Sequence, residues 1–138
     1  MNYVETLDYL FSQLPMYQRQ GAPAFKKDLT NTIALCELLD NPQNKFKSLH
    51  IAGTNGKGSV SHMLASVFQE AGYKVGLYTS PHLTDFRERI KINGQMISEQ
   101  SVIDFVANYK TDFERIKPSF FEMTVALTFD QFVKNEVD

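Results

Sequence analysis

Apolar residues recur at helical spacing in five stretches of the chain. Residues 3–14 carry Val4, Leu7, Leu10, Phe11 and Leu14, and Pro15 closes the pattern. Residues 26–39 repeat Leu29, Ile33, Cys36 and Leu39 before Asp40-Asn41-Pro42. From Ser59 onward the series Val60, Met63, Leu64, Val67, Phe68 and Ala71 predicts a helix that stops at Ala71-Gly72-Tyr73. Ser98 reads as an N-cap for a helix whose stripe is Val102, Phe105, Val106, Tyr109, Phe113 and Ile116, ended by Pro118. Residues 120–134 form the last helix. Between these lie runs that predict strands: 46–52, alternating well enough to be buried; 74–79 with Val75, Leu77 and Tyr78; and a short run over 88–92 followed by the turn Asn93-Gly94. Residues 16–23 are a polar loop with glycine and proline.

A strand-loop-helix-strand order predicts an α/β domain with a mainly parallel sheet flanked by helices. Two core strands and one ribbon are too few to cover four or five helices. The chain is therefore expected to be the front of a domain that continues past Asp138.

Composition narrows the function classes. The 138 residues suit one domain or a piece of one, and 43% hydrophobic content supports a core. A net charge of -2 argues against a nucleic-acid binder that works by phosphate neutralisation. The single cysteine, Cys36, excludes an internal disulfide and sits in a helical pattern as a buried structural residue. No stretch approaches the roughly 18 apolar residues of a membrane span, and the N-terminus lacks a secretory pattern. A cytoplasmic protein is expected.

The strongest chemical signal is Gly53-Thr54-Asn55-Gly56-Lys57-Gly58-Ser59, between the predicted strand 46–52 and the helix from Ser59. Glycines let backbone N–H groups approach a phosphate, and the helix start faces the same anion with its dipole. Lys57 adds a full charge for the β/γ-phosphates, and Ser59 a hydroxyl for phosphate or Mg²⁺. Asn55, Gly56, Lys57, Gly58 and Ser59 are the candidate ATP-binding residues. The loop departs from the common GxxxxGK[ST] pattern: Gly58 separates Lys57 from Ser59, and the first glycine falls on Ile51.

Residues 49–59 (Leu-His-Ile-Ala-Gly-Thr-Asn-Gly-Lys-Gly-Ser), with Leu-Tyr-Thr-Ser-Pro-His-Leu at 77–83 and Arg-Glu-Arg-Ile-Lys-Ile-Asn-Gly at 87–94, resemble folylpolyglutamate synthase/dihydrofolate synthase. That family is a branch of the Mur-ligase-like, ADP-forming amide ligases. The resemblance runs from about Lys26 to the end and covers only the front of such an enzyme. It implies that residues 1–138 are the N-terminal part of an ATP-binding Mur-ligase-like domain, with the rest of that domain and a glutamate domain absent.

The resemblance also implies roles. Lys57 is the catalytic charge on the transferring phosphoryl group, and Ser80, just before Pro81-His82, is a Mg²⁺ ligand. A serine oxygen is weak and neutral, so phosphate and carboxylate oxygens must complete the octahedral shell. Ser119, Phe120, Phe121 and Glu122 match a substrate-contacting stretch: rings stack on a pterin, and a carboxylate accepts its N–H groups. Within it, Glu122 and Phe120 are expected toward ligand and Phe121 toward core. Ala22 to Phe25 match another loop near the pterin. Arg87, Glu88, Arg89 and Lys91 read as a solvated strand edge, with Arg87 or Arg89 a candidate substrate contact. His50 reads as a core histidine, His62 as a surface one, and His82 as a structural hydrogen-bonding group.

The implied reaction adds L-glutamate to dihydropteroate or tetrahydrofolate. A carboxylate attacks the γ-phosphate of ATP to give an acyl phosphate and ADP, and the glutamate amine then displaces phosphate. The expected partners are small molecules, with no nucleic acid or membrane, and the complete enzyme is expected to be a monomer. Two other classes share the loop: a Mur-type ligase acting on a cell-wall precursor, and an inactive nucleotide-binding fragment.

Overall fold

The computed structural model describes residues 1–13 and 28–138. The expectations placed on 14–27, including the proline stop, the polar loop, the start of the second helix at Lys26 and the stretch Ala22 to Phe25, lie outside the described residues. The chain divides into two compact units, Met1–Asn41 with Glu99–Leu127, and Pro42–Ser98 with Thr128–Asp138.

The first unit is helical. It holds α1 (Tyr3–Ser12), α2 (Thr30–Leu38), α4 (Glu99–Ile116) and the opening turns of α5 (Phe120–Lys134). Asn2 starts α1 with a capping box: its Oδ1 accepts from Glu5 N at 2.9 Å, and Glu5 Oε2 accepts from Asn2 N at 2.8 Å. The stripe expected on α4 is present, with Val102, Phe105, Val106 and Phe113 buried. Leu10, Leu35, Cys36, Met123 and Leu127 belong to the same unit's core. Cys36 is buried as anticipated. On α2 the buried set is Asn31, Leu35 and Cys36, whereas Leu29 and Ile33 are exposed. The spacing located that helix but misassigned part of its inward face.

The second unit is built on a small antiparallel sheet in the order β1 (Gly76–Tyr78), β2 (Ile90–Ile92), β3 (Gln95–Met96). Asn93 and Gly94, at φ 47° and 80°, make the two-residue turn between β2 and β3. The helix α3 (Lys57–Glu70) packs on β1. Phe46 meets Phe129 and Phe132 of α5 at ring distances of 5.6 and 5.4 Å. Phe132 also explains Gly76, because a Cβ there would fall 2.4 Å from its ring. Asp138 is tied to Lys74 at both its backbone N and its carboxylate (3.0 and 2.7 Å).

Three expectations are corrected. First, the sheet among the described residues is antiparallel, not mainly parallel, and 46–52 forms no strand. An extended run becomes a strand only when a neighbour pairs with it. Lys47 N in this run donates to Asp138 O, at 3.1 Å, outside any ladder with a neighbouring strand. Leu49 is 66% exposed and His50 is exposed, so His50 is not a core histidine.

Second, the apolar face of α3 is not buried. Met63 is 60% and Val67 65% exposed, and no residue of the helix is buried.

Third, the charged run is not a solvated strand edge. Phe86–Arg89 is a 3₁₀ turn, Lys91 lies on the middle strand, and Arg89 is buried. No described helix is long and apolar enough to cross a membrane.

Candidate functional site

The glycine-rich loop leads into α3. Gly56 is the N-cap residue, at φ 75° in the left-handed region, and no side chain caps the helix. Gly53 also has positive φ, at 150°. Val60 N donates to Gly56 O at 3.0 Å and closes the first turn. The amides of Lys57, Gly58 and Ser59 therefore have no partner inside the helix and present its positive end. Residues 52–60 are all exposed. Lys57 Nζ donates to the carbonyl of Gly53, folding the lysine over its own loop. Ser61 Oγ and His62 Nδ1 bond the carbonyls of Lys57 and Gly58 at 2.7 and 2.8 Å, and His62 is a surface residue as expected.

The three glycines are not equivalent. Gly53 and Gly56 are required by their backbone angles, but Gly58 is not at positive φ and a Cβ on it would meet nothing within 4 Å. Positive φ therefore does not account for Gly58. What remains is close approach of a ligand to its backbone.

The second element is the turn after β1. Thr79 N donates to Arg89 O at 3.0 Å, and Ser80, two residues past the strand, is exposed. Arg89 Nε donates to His82 Nδ1 at 2.7 Å, the kind of structural hydrogen bond the sequence suggested for this histidine. Burial, reinforced by the Arg89 cation, lowers the His82 pKa against the opposing pull of Glu88 and Asp85. Burial raises the pKa of the Tyr78 phenol, and the Arg89 cation pulls it partly back.

Glu88 gathers the backbone N–H groups of Leu83, Thr84 and Asp85 at 2.9, 3.1 and 3.0 Å, which hold its carboxyl below the usual range. Arg87 forks onto Asp85, with Nε to Oδ1 at 3.2 Å and Nη2 to Oδ2 at 2.9 Å. Among the described residues no three His, Cys, Asp or Glu side chains group to hold a metal.

The third element lies in the first unit. Ser119 and Glu122 form a capping box on α5: Ser119 N donates to Glu122 Oε2 at 2.7 Å, and Glu122 N to Ser119 Oγ at 3.2 Å. Asn31 Nδ2 adds a bond to the same Oε2 at 3.2 Å. Phe120 is buried and stacks on Phe11 at 5.1 Å, while Phe121 is 50% exposed. The expected split of these rings is reversed. The N-cap geometry turns the first helical side chain inward and the second outward.

Two features escaped the sequence reading, the Arg89 cluster and the Asn31 contact. The cluster had a visible signal. Asp85-x-x-Glu88 is a capping-box spacing that marks a helical turn, not a strand.

No family model matches the chain. It is 34% identical to folylpolyglutamate synthase of Lacticaseibacillus casei over 145 residues, covering 100% of this chain and 32% of that protein. The crystal structure of folylpolyglutamate synthase from Thermotoga maritima superposes with a TM-score of 0.87 at 37% identity, covering 99% of this chain and 31% of that one. A folylpolyglutamate synthase solved with AMPPCP and folate matches at a TM-score of 0.83 and 32% identity, over 100% of this chain and 34% of that one. The chain thus spans about a third of the length of these relatives.

Proposed function

We propose that this chain, which belongs to the folylpolyglutamate synthase/dihydrofolate synthase family and matches only part of its relatives' length, supplies the phosphate-holding part of an ATP-dependent ligase. The ligase joins L-glutamate to a pteroate or folate carboxylate. On this reading residues 1–138 are the front of a Mur-ligase-like ATP-binding domain.

The observation that carries the reading is the start of α3. Gly56 is left-handed, no side chain claims the first-turn amides, and Lys57 stands at the first helical position. Such a helix end sets fixed partial positive charge against a polyphosphate. On ATP binding, Lys57 exchanges the Gly53 carbonyl for a phosphate oxygen. The relative solved with AMPPCP and folate supports a nucleotide and a folate as the ligand classes.

The chemistry follows from the acceptor. A carboxylate at neutral pH is a poor electrophile, so one of its oxygens attacks the γ-phosphorus and ADP leaves. The glutamate amine then attacks the acyl carbon, phosphate departs, and the amide forms. The chain's own part is positioning and charge neutralisation by Lys57 and the amides of residues 55–59. Mg²⁺, when bound, supplies charge to the phosphate oxygens. Ser80 and Ser59 fit it as neutral oxygens that act only together with phosphate and carboxylate ligands. Of the 119–122 stretch, Phe121 offers a ring face to a pterin, and Ser119, Phe120 and Glu122 hold that turn in place.

The test is ADP release by the protein as its gene encodes it, with dihydropteroate or tetrahydrofolate plus glutamate. Release that needs both, and falls roughly 10²- to 10³-fold in Lys57→Ala, is the expected result. Release that depends on a nucleotide-sugar peptide would assign a cell-wall ligase. Mg·ATP binding with no release would leave a nucleotide-binding remnant.

A further inference from the structure

Asn31, in the first turn of α2, sends its side chain across to the start of α5. Its Nδ2 donates to Glu122 Oε2 at 3.2 Å and, more weakly, to the Lys117 carbonyl at 3.4 Å. Both partners are acceptors only, so the amide nitrogen and not its oxygen faces them. Asn31 is 7% exposed, and a polar group at that depth is tolerated because its hydrogen bonds are made. Glu122 Oε2 accepts from Ser119 N and Asn31 Nδ2 together, so the carboxylate that caps α5 is aimed from α2.

The stretch that Asn31 reaches is anchored from α1 as well. Phe120 N donates to Gln13 O at 3.0 Å, and the Phe120 ring stacks on Phe11 at 5.1 Å. Lys117, at φ 56°, stands in the left-handed region that a residue with a Cβ enters at a cost, and its carbonyl is one of the two acceptors that Asn31 holds. Phe121 lies between two anchored neighbours, with its own ring 50% exposed.

We propose that Asn31 is the positioning residue of the turn that presents Phe121: by donating to the Glu122 carboxylate and the Lys117 carbonyl, it holds the start of α5 so that the Phe121 ring meets the acceptor substrate in one orientation. Asn31 does not touch substrate. It acts on the reaction through Phe121, and this second step rests on the ligase reading given above, in which that ring faces a pterin.

The experiment uses the protein as its gene encodes it, with selectively labelled phenylalanine, and compares the parent with Asn31→Leu, Asn31→Asp and the exchange of Asn31→Asp with Glu122→Gln. Asn31→Leu keeps the volume and removes the donor. Asn31→Asp sets a second carboxylate against Glu122. In the exchange the carboxylate stands on α2 and the amide on α5, which restores a hydrogen bond between the helices with its direction reversed.

The Hα–Hβ couplings of Phe121 report its rotamer. One rotamer is expected in the parent and averaged couplings in both single variants. Their KM for the pteroate or folate acceptor is expected to rise about tenfold, with the KM for ATP within about twofold of the parent. The exchange recovers part of the acceptor KM. A general loosening of the fold would not separate the two substrates and would not respond to the exchange.

Asn31→Leu, which adds no charge, carries the test if Asn31→Asp fails to fold. A single unchanged Phe121 rotamer in a folded Asn31→Leu protein overturns the proposal. So does a lowered Tm with the acceptor KM unchanged, which would leave Asn31 as a packing contact between helices. Absence of ligase activity in the parent would defeat the functional reading alone, because the Phe121 couplings still decide whether Asn31 positions it.

Discussion

Ser119 and Glu122 satisfy each other across the first turn of α5: the Ser119 hydroxyl accepts from Glu122 N, and the Glu122 carboxylate accepts from Ser119 N at 2.7 Å. This reciprocity makes both residues structural before any ligand arrives. Ser119→Ala is expected to cost about 1 kcal/mol of stability, measured by denaturant unfolding without substrate. An unchanged midpoint would mean the cap carries no stability, leaving substrate contact as the reason for the serine.

The Glu88 carboxylate is held ionised by the backbone N–H groups of Leu83 first, then Asp85 and Thr84, on the Asp85 side of the 3₁₀ turn. Its folded pKa lies below the ordinary value of 4.5. The contribution to stability is therefore present above 4.5 and is lost as pH falls through the depressed folded value. In an acid titration, the amide shifts of Leu83, Thr84 and Asp85 should move together with a midpoint below 4.5. Midpoints at or above that value would contradict the arrangement.

The exposed face of α3 makes a further prediction. Met63 and Val67 are apolar, adjacent on one helix face, and mostly in water. Contiguous exposed apolar surface marks an interaction site or an association liability. The 138-residue chain is expected to bind a hydrophobic dye. Met63→Lys with Val67→Lys should abolish most of that signal while changing stability by no more than about 0.5 kcal/mol per site. Dye binding that survives both changes would place the apolar surface elsewhere.

The long helices were legible because their signal is local. The stripe on α4 and the bounds of α5 follow from side-chain spacing alone. The turn Asn93-Gly94 was legible because two consecutive positive φ angles demand such residues.

Residues 46–52 misled because pairing, not alternation, makes a strand, and alternation says nothing about a neighbour. Arg89 misled for the opposite reason. Charge at every second position resembles an edge strand, yet Asp85-x-x-Glu88 folds the run into a 3₁₀ turn that carries the arginine inside. At the candidate site, the order of loop and helix was readable. The roles of individual glycines were not, since only backbone angles separate Gly56 from Gly58.

That difference gives the most direct test of the phosphate-holding loop. Gly58 needs neither positive φ nor space within the chain, so Gly58→Ala should leave Tm unchanged or raise stability by up to about 1 kcal/mol, the helix preference for alanine. If a phosphate lies against the amides of residues 57–59, the added methyl must disturb a charge-assisted hydrogen bond worth about 1.5–3 kcal/mol. The measurement is calorimetric titration of Mg·ATP into the full-length protein and into Gly58→Ala. The account predicts affinity weakened by about tenfold or more at undiminished Tm. Equal affinity in the two proteins would contradict it, because the backbone of this loop would then not be where the phosphates are held.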